Sequence, residues 1–177
     1  MTQTFTISNQ NINSQFTMVQ AEVEHTAEIL ALLVETAKWL RSKGSTQWNA
    51  LLDGVDSHNT EDAIERGDVF ICKDGEKIAG MVMLLKQPSK WDSELWGPKA
   101  HHNDGAIYLH RLAIRREYAN CKLGESILNW CYGSISFEGK EIIRLDCVAN
   151  NEHLNRFYRQ NGYTYLGEKN GYSLYER

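Results

Sequence analysis

The stretch from Tyr108 to Gly124 reads YLHRLAIRREYANCKLG and indicates a strand that runs through a short polar turn into the start of a helix. Backbone N–H groups in the first turn of a helix have no partner within the helix, and the helix dipole adds partial positive charge there. The stretch contains a single acidic residue and four basic ones, which are Arg111, Arg115, Arg116 and Lys122. It therefore predicts a pyrophosphate site, and the alternative is an ordinary strand-to-helix connection with solvated arginines.

On both sides of this stretch, segments with the apolar pattern of strands are interspersed with segments that have the apolar spacing of helices. Predicted strands are Phe16 to Gln20, Val69 to Cys72, Ile78 to Leu85, Ala106 to Ile114, Ile142 to Val148, Tyr163 to Gly167 and Tyr172 to Glu176. Predicted helices are Thr26 to Lys43, a short acidic one that Thr60 caps and that ends near Gly67, Lys122 to Phe137 and Glu152 to Gln160. Asp74-Gly75 predicts a hairpin, and Gln87 to Asp104 predicts a loop. The order indicates one α/β domain over residues 16–177, a mixed sheet flanked by helices, preceded by a flexible N-terminal arm over residues 1–15.

Composition narrows the classes of protein that this chain can represent. The 177 residues are 42% hydrophobic and carry a net charge of −4, which argues against nucleic acid as the main partner. No apolar run is long enough to span a membrane and no secretory signal precedes the domain, so we expect a cytoplasmic protein without a membrane partner. Four cysteines lack metal-site or disulfide spacing, and the pair His101-His102 lacks a further ligand, so we expect reduced thiols and no metal.

A second segment, Arg144 to Tyr163, reads RLDCVANNEHLNRFYRQNGY and predicts a strand followed by a helix. Its spacing places Asn151, Leu154 and Tyr158 near one another on the helix. From the residues alone, Asn150 or Asn151 is a helix cap, and Tyr158 is a half-buried aromatic whose hydroxyl group faces water.

Taken together, these motifs resemble the GNAT superfamily of acetyl-CoA-dependent N-acetyltransferases over nearly the whole chain, from about Phe16 to Glu176. The resemblance rests on several segments at once, which are AKWLRSKG with Gln47-Trp48, the Asp-Gly hairpin with Ile78-Ala79-Gly80, Leu112-Ala113-Ile114 with its Glu-Tyr turn, and LDCVANN through Phe157-Tyr158 to Gly162-Tyr163. It implies a single-domain, GNAT-like fold with a mostly antiparallel, twisted sheet.

The resemblance also implies how acetyl-CoA would bind. The signature turn of the family reads Arg/Gln-x-x-Gly-x-Gly/Ala, whereas this chain has Ala119-Asn-Cys-Lys-Leu-Gly124 and matches only the last position. We expect Asn120 to tolerate a left-handed backbone and Lys122 to add a charge contact, since main-chain N–H groups hold the pyrophosphate. The implied cofactor-binding residues are Leu112, Ala113 and Ile114 for the pantetheine arm, Ala119, Asn120, Cys121, Lys122, Leu123, Gly124 and Glu125 for the phosphates, and Asn151 for the amide groups.

In the usual mechanism of this family, an amine attacks the thioester directly while both substrates are bound, so no nucleophilic cysteine is required. The resemblance places Tyr158 beside the thioester sulfur, where a hydrogen bond to the developing thiolate is a better role than full proton transfer. His110 belongs to the right pKa class for the general base that deprotonates the amine. A water chain or a purely structural histidine is the alternative.

Two groups of residues give indications about the acceptor. We expect a primary amine of a small molecule or an amino-acid derivative, toward which the six acidic residues between Asp53 and Asp68 could steer a cation. Tryptophans that could line an acceptor pocket are Trp39, Trp48, Trp91 and Trp96. The alternatives to an enzyme are a non-catalytic acetyl-CoA sensor and an interaction module without a cofactor, and a homodimer stays open.

Overall fold

The computed structural model describes residues 4–177, and this part of the chain contains nine strands and five α-helices. The strands are β1 (Phe5–Ile7), β2 (Phe16–Gln20), β3 (Val69–Asp74), β4 (Lys77–Leu85), β5 (Ala106–Ile114), β6 (Ile135–Phe137), β7 (Ile142–Val148), β8 (Thr164–Lys169) and β9 (Tyr172–Glu176). The helices are α1 (Thr26–Ser42), α2 (Thr60–Arg66), α3 (Lys90–Trp96), α4 (Leu123–Gly133) and α5 (Glu152–Gln160).

Seven of the strands form one sheet in the order β2-β3-β4-β5-β7-β9-β8, and β1 pairs with β6 in a separate two-stranded sheet. The pairs β2–β3, β3–β4, β7–β9 and β8–β9 are antiparallel. Strands β5 and β7 are parallel, with Ala106 opposite Ile142, and α4 and β6 lie between them in the chain. The predicted mixed α/β architecture with a mostly antiparallel sheet and flanking helices is therefore confirmed.

Contacts between Cα atoms group the chain into two compact units that alternate along the sequence. Among the described residues, the first unit contains residues 4–8, 84–110 and 128–177, and the second contains residues 9–83 and 111–127. Because the chain passes between them four times, neither unit is a consecutive domain.

The second unit forms its core from helices α1 and α2 and the hairpin of β3 and β4. Helix α1 buries one face through Ile29, Leu32, Leu33, Thr36 and Ala37. That face belongs to a cluster with Ala63 and Ile64 of α2 and with Ile71 and Met81 of the hairpin. The hairpin turns at Gly75, whose φ of 60° is accessible to glycine at little cost.

The first unit forms its core around β5, β7 and the segment between β4 and β5. Tyr108 is fully buried and belongs to a cluster with Leu85, Leu95 and Trp96. Helix α5 begins at Asn151, whose Oδ1 accepts a hydrogen bond from the N–H of Leu154 at 3.1 Å. This contact satisfies one of the free donors at the start of the helix, so Asn151 is the cap among the two candidates that the sequence offered, Asn150 and Asn151.

Several predicted boundaries agree with the structure, and others differ. Strands β2, β5, β7 and β9 and helix α5 match their predicted bounds. The predicted loop contains α3, and the predicted helix to Phe137 ends at Gly133 because the alternating Ile-Ser-Phe that follows forms β6. Asn59, and not Thr60, occupies the cap of α2. Within the expected arm, Phe5–Ile7 pairs with β6, while residues 1–3 lie outside the described residues.

Candidate active site

The turn after β5 lies in the second unit and connects the strand to α4 through a 3-10 turn at Arg116–Tyr118. Residues 119–122 are exposed, and the main-chain oxygen of Lys122 accepts the first helical hydrogen bond, from the N–H of Ser126 at 3.1 Å. Lys122 has a φ of 52°, so it adopts the left-handed conformation that was expected at Asn120. Lys122 occupies the position of the central glycine in the family signature. A left-handed residue at this position accounts for that glycine, because glycine adopts the conformation at little cost. The N–H groups in the first turn of α4 therefore directly follow an exposed, positively charged residue.

Three of the four basic residues of this stretch contact other protein groups. The guanidinium group of Arg116 stacks 3.9 Å from the ring of Trp39 and donates to the oxygen of Ile114 at 2.9 Å. Arg115 donates to the oxygen of Ile78 at 2.8 Å and lies 3.4 Å from Glu28. These arginine side chains are therefore held by protein groups, and Lys122 is the exposed cation of the turn.

Arg111, the third bound arginine, lies in the middle of β5 with a φ of 55° and a nearly buried side chain. Its Nη2 lies 3.3 Å from Oδ1 of Asp56, and its guanidinium carbon lies 5.0 Å from the ring centroid of Trp48. Burial lowers the pKa of Arg111, and the carboxylate of Asp56 partly opposes this effect. Both Asp56 and Trp48, which were candidates for acceptor binding, are therefore in contact with Arg111.

The end of β5 that carries Leu112, Ala113 and Ile114 packs closely against Gly80 of β4 in the second unit. A Cβ atom on Gly80 would lie 3.0 Å from the oxygen of Ala113 and 3.0 Å from Cδ1 of Ile114. The N–H of Arg115 also donates to the oxygen of Ala79 at 2.8 Å. A side chain at residue 80 would therefore displace the strand end that the resemblance assigns to the pantetheine arm.

The other predicted site residues, His110, Asn151 and Tyr158, belong to the first unit. Tyr158 is 8% exposed and packs among Phe157, Tyr163 and Tyr175 at ring-centroid distances of 5.2, 6.0 and 5.9 Å. Burial raises the pKa of Tyr158, and electrostatic interactions with Cys147, Tyr163 and Asp146 raise it further. The phenol therefore keeps its proton near neutral pH and can donate it in a hydrogen bond.

His110 lies in a cluster with two carboxyl groups that sequence reasoning did not identify, Asp92 on α3 and Asp146 on β7. Its Nε2 is 2.9 Å from Oδ1 and 3.1 Å from Oδ2 of Asp92, and both side chains are buried. The indole N–H of Trp91 lies 3.2 Å from both oxygens of Asp146. We call these three residues, Asp92, His110 and Asp146, the carboxyl–histidine cluster.

The two carboxyl groups of the cluster have opposite pKa shifts. Burial alone would raise the pKa of Asp92, but hydrogen bonds from His110 and Ser89 and the charge of His110 lower it below its ordinary value. Burial raises the pKa of Asp146, an effect that His110 and Trp91 only partly oppose and that Asp92 increases. The cluster therefore contains one firmly ionised carboxylate and one that holds a proton more readily.

Candidate metal ligands and candidate nucleophiles both have other roles in the structure. The donor atoms of the carboxyl–histidine cluster lie within 4.8 Å of one another, but Nε2 of His110 already lies at hydrogen-bond distance from Asp92, and the indole N–H of Trp91 from Asp146. His101 lies in an exposed loop, where its Nδ1 is 2.9 Å from the oxygen of His102. Burial raises the pKa of Cys72 and of Cys147 to about 12, which keeps both thiols protonated.

Sequence signals for the two carboxyl residues exist but are weak. Asp146 is the acidic residue within the otherwise apolar β7 pattern Leu-Asp-Cys-Val, and a charge in a buried strand indicates a partner. Ser89 and Asp92 have the spacing of a capping box, and the structure forms one at the start of α3. That spacing predicts the helix start, but it does not predict that the carboxylate reaches His110.

The fold and the turn together define an acetyltransferase of the GNAT type. The chain matches the model of the Acetyltransferase (GNAT) family over residues 33–163 and therefore belongs to this family. Its relatives include the uncharacterized N-acetyltransferase YesJ of Bacillus subtilis, which is 45% identical over 174 residues, or 98% of this chain and 96% of that protein.

Solved structures show the same fold. A GNAT-family acetyltransferase from Listeria monocytogenes is 34% identical and superposes with a TM-score of 0.74, with coverage of 92% of this chain and 94% of that one. The PaiA N-acetyltransferase from Thermoplasma acidophilum, solved in complex with coenzyme A, is 16% identical with a TM-score of 0.67 over 92% of this chain and 98% of that one. Among residues 4–177, no helix is long and apolar enough to cross a membrane.

Proposed function

We propose that this acetyltransferase moves the acetyl group of acetyl-CoA to a primary amine of a small molecule or an amino-acid derivative. The observation that carries the proposal is the exposed turn after β5, where left-handed Lys122 starts α4. A helix start with free N–H groups and an adjacent cation suits a pyrophosphate. Family membership and the coenzyme A bound to the PaiA relative support acetyl-CoA as the molecule that carries it.

The residues of this chain fit that ligand at several positions. The turn from Ala119 to Glu125 would hold the phosphates, and the main chain of Leu112 to Ile114 would hold the pantetheine arm. Oδ1 of Asn151 is used in the cap of α5, so the side-chain amide nitrogen is the group that would contact an amide oxygen of the cofactor. When bound, acetyl-CoA supplies a thioester that is activated toward an amine.

The protein must still remove a proton from the acceptor amine and stabilise the departing sulfur. An alkylammonium group with a pKa near 10.4 needs about 4 kcal/mol to lose its proton at neutral pH. His110 is the proposed acceptor of that proton, either directly or through a water molecule. Tyr158, whose buried phenol stays protonated, is the proposed donor of a hydrogen bond to the departing sulfur.

The acidic stretch in the second unit supports a cationic acceptor. Asp56 binds Arg111, but Asp53, Glu61, Asp62 and Glu65 are exposed. Such a surface favours polyamines, aminoglycosides or lysine-bearing peptides over anionic substrates, and salt would screen the effect. The cytoplasmic location and the homodimer remain predictions.

The test is a transfer assay with acetyl-CoA and a panel of primary amines matched to the corresponding alcohols. Released CoA should be quantified by chromatography, because the exposed thiol of Cys121 would itself react with thiol reagents. We expect CoA release that requires the amine and double-reciprocal plots that intersect, as direct attack in a ternary complex demands. Tight acetyl-CoA binding without release to any amine would instead support the non-catalytic sensor.

A further inference from the structure

Arg111 is a buried cation that its neighbours in the second unit satisfy only in part. The residue is 7% exposed, and its guanidinium group carries five N–H donors. Nη2 contacts Oδ1 of Asp56 at 3.3 Å and Oγ of Ser57 at 3.5 Å, and both distances are longer than typical N–H···O hydrogen bonds. Among residues 4–177, the buried Nε of Arg111 has no hydrogen-bond partner. A guanidinium group in this state favours a further acceptor, because unpaired buried donors are costly.

Asp56 does not fully compensate for this cation, because the loop that contains Asp56 already uses both oxygens of its carboxylate. The N–H of His58 donates to Oδ1 at 3.1 Å, and the N–H of Thr60 donates to Oδ2 at 2.8 Å. Burial lowers the pKa of Arg111 although the charge of Asp56 opposes this shift, so desolvation outweighs the compensation. A second anionic group beside Arg111 would therefore be stabilised.

The chain holds Arg111 and Trp48 in backbone conformations that neither residue type favours. Arg111 within β5 has a φ of 55°, and Trp48 has a φ of 65°, so both lie in the left-handed region. Their side chains are in contact, with the guanidinium carbon 5.0 Å from the ring centroid. Strained backbone of this kind clusters at ligand-binding sites, where it sets the position of a side chain. We call Trp48, Asp56 and Arg111 the arginine site.

Two further polar side chains flank Trp48 in sequence. Oε1 of Gln47 and Oδ1 of Asn49 are buried and, within the described part of the chain, have no hydrogen-bond partner. Native structures leave few buried polar groups unpaired, so such atoms indicate a bound ligand or solvent. These oxygens can accept hydrogen bonds from an ammonium group, whereas the guanidinium group donates to a carboxylate. The segment and Arg111 therefore offer partners for both charged groups of an amino acid.

We propose that the arginine site binds a carboxylate group of the acceptor, which makes the substrate class an amino acid or a derivative that keeps this group. Nε and Nη2 lie on the same edge of the planar guanidinium group and suit the two oxygens of a carboxylate. Arg111 directly precedes Leu112, the first residue of the segment assigned to the pantetheine arm, so a carboxylate bound there would hold the amine near the thioester. This inference rests on the proposed function and narrows its range of primary amines.

The acidic surface of the second unit is compatible with such an acceptor. The exposed residues Asp53, Glu61, Asp62 and Glu65 attract cations. A basic amino acid has a net positive charge, so this surface attracts it while its carboxylate binds Arg111. A polyamine would use the same surface but would leave the free donor of Arg111 without a partner.

The activity test pairs each amino acid with the amine that lacks its carboxylate group, and measures CoA release by chromatography. The pairs are lysine with cadaverine, ornithine with putrescine, and phenylalanine with phenethylamine. In the wild type, kcat/KM in the most active pair should be higher for the amino acid by roughly tenfold or more. Arg111→Gln should remove this preference through a higher KM for the amino acid, and Arg41→Gln, an exposed arginine of the same unit, should keep it.

Asp56→Asn distinguishes a carboxylate site from a purely structural ion pair. The variant removes the competing charge and keeps an oxygen for the N–H of Thr60. A carboxylate site should then bind the amino acid more tightly, so its KM should fall by about threefold or more while KM for the amine does not fall. A structural pair would instead raise both KM values together, which would overturn the inference. Arg111→Lys keeps a positive charge without the planar pair of donors and should lose most of the preference, which covers the case that Arg111→Gln does not fold.

The melting temperature tests the site without turnover. At least one amino acid of the panel, in the absence of cofactor, should raise the melting temperature of the wild type above the value with its paired amine, and should not do so for Arg111→Lys.

The two hypotheses fail in different ways. Absence of CoA release with every amine would end the proposed transfer, and the shift in melting temperature would then still establish the carboxylate site. Transfer that shows no preference for the carboxylate in any pair, or a preference that Arg111→Lys and Arg111→Gln retain, would leave the proposed function intact and overturn only this inference.

Discussion

The turn after β5 and the carboxyl–histidine cluster use different parts of the polypeptide. The turn is exposed and presents main-chain N–H groups, so its side chains can vary as long as the backbone keeps its path. The cluster consists of side chains from three separate elements, and its buried charges are stable only when all partners are present. The turn should therefore tolerate substitution, and the cluster should not.

The largest expected effect is on stability, from Asp92→Ala in the cluster. It removes the partner of buried His110 and one half of the capping box, and should lower the free energy of unfolding by about 3 kcal/mol in urea titrations at pH 7. Because the folded-state pKa of Asp92 is lowered, its stabilising contribution is present above the ordinary carboxyl pKa and is lost as the pH falls toward the lowered value.

Its control, Glu94→Ala, should change stability by no more than about 0.5 kcal/mol. A loss of stability from Asp92→Ala as small as that of the control would show that the carboxyl–histidine cluster does not depend on Asp92 for its stability.

The next effect is on turnover, from Tyr158→Phe. Loss of the hydroxyl group should lower kcat by roughly tenfold or more, because the proposed hydrogen bond to the departing thiolate is lost. Acetyl-CoA affinity, measured by calorimetry, should stay within about twofold, and Tyr165→Phe on the exposed edge strand β8 is the matched control. Unchanged turnover would remove Tyr158 from the chemistry.

Asp146→Asn should have a smaller effect on stability, with a pH dependence opposite to that of Asp92→Ala. The pKa of Asp146 is raised by burial, so its favourable contribution is present below the ordinary carboxyl pKa and is lost as the pH rises through the raised value. The melting temperature of the variant relative to wild type should therefore increase from pH 4 to pH 8, by about 2–4 °C if the charge costs about 1 kcal/mol. A difference that falls with pH, or one equal to that of exposed Glu168→Gln, would contradict the assigned shift.

The smallest effect is expected in the turn, from Lys122→Gly. Glycine adopts the left-handed conformation without the penalty of about 1 kcal/mol that other residues incur, so the variant should be more stable than Lys122→Ala by roughly that amount. Both variants should bind acetyl-CoA within about tenfold of wild type, because the proposed phosphate contacts come from the main chain. Loss of binding in both would mean that the lysine charge, and not the backbone, holds the ligand.

Local signals explain why much of the fold could be predicted from the sequence. Alternating apolar residues and caps fixed the bounds of β5, β7 and α5. Helix α3 was missed because Pro88, Pro98 and two tryptophans made its segment look like a loop, although its capping box was visible. Strand β1 is three residues long and depends on pairing with β6, which is remote in sequence.

The two parts of the candidate site also differ in how far the sequence predicts them. The turn could be predicted because a strand, a polar connection and a helix start lie in consecutive residues, although the left-handed residue is Lys122 and not Asn120. The carboxyl–histidine cluster could not, because Asp92 and Asp146 lie on opposite sides of His110 in sequence and become neighbours only through tertiary packing. Asp146, as a charge within an apolar strand, indicated a buried partner, whereas the capping-box spacing of Asp92 indicated only a helix start.

The most direct test of the account is a calorimetric titration of the purified protein with acetyl-CoA and with CoA at fixed ionic strength, since salt screens phosphate contacts. The turn with left-handed Lys122 predicts binding of both ligands in the micromolar range. No heat of binding at millimolar acetyl-CoA would contradict the account and would leave the GNAT fold of this chain without its expected cofactor.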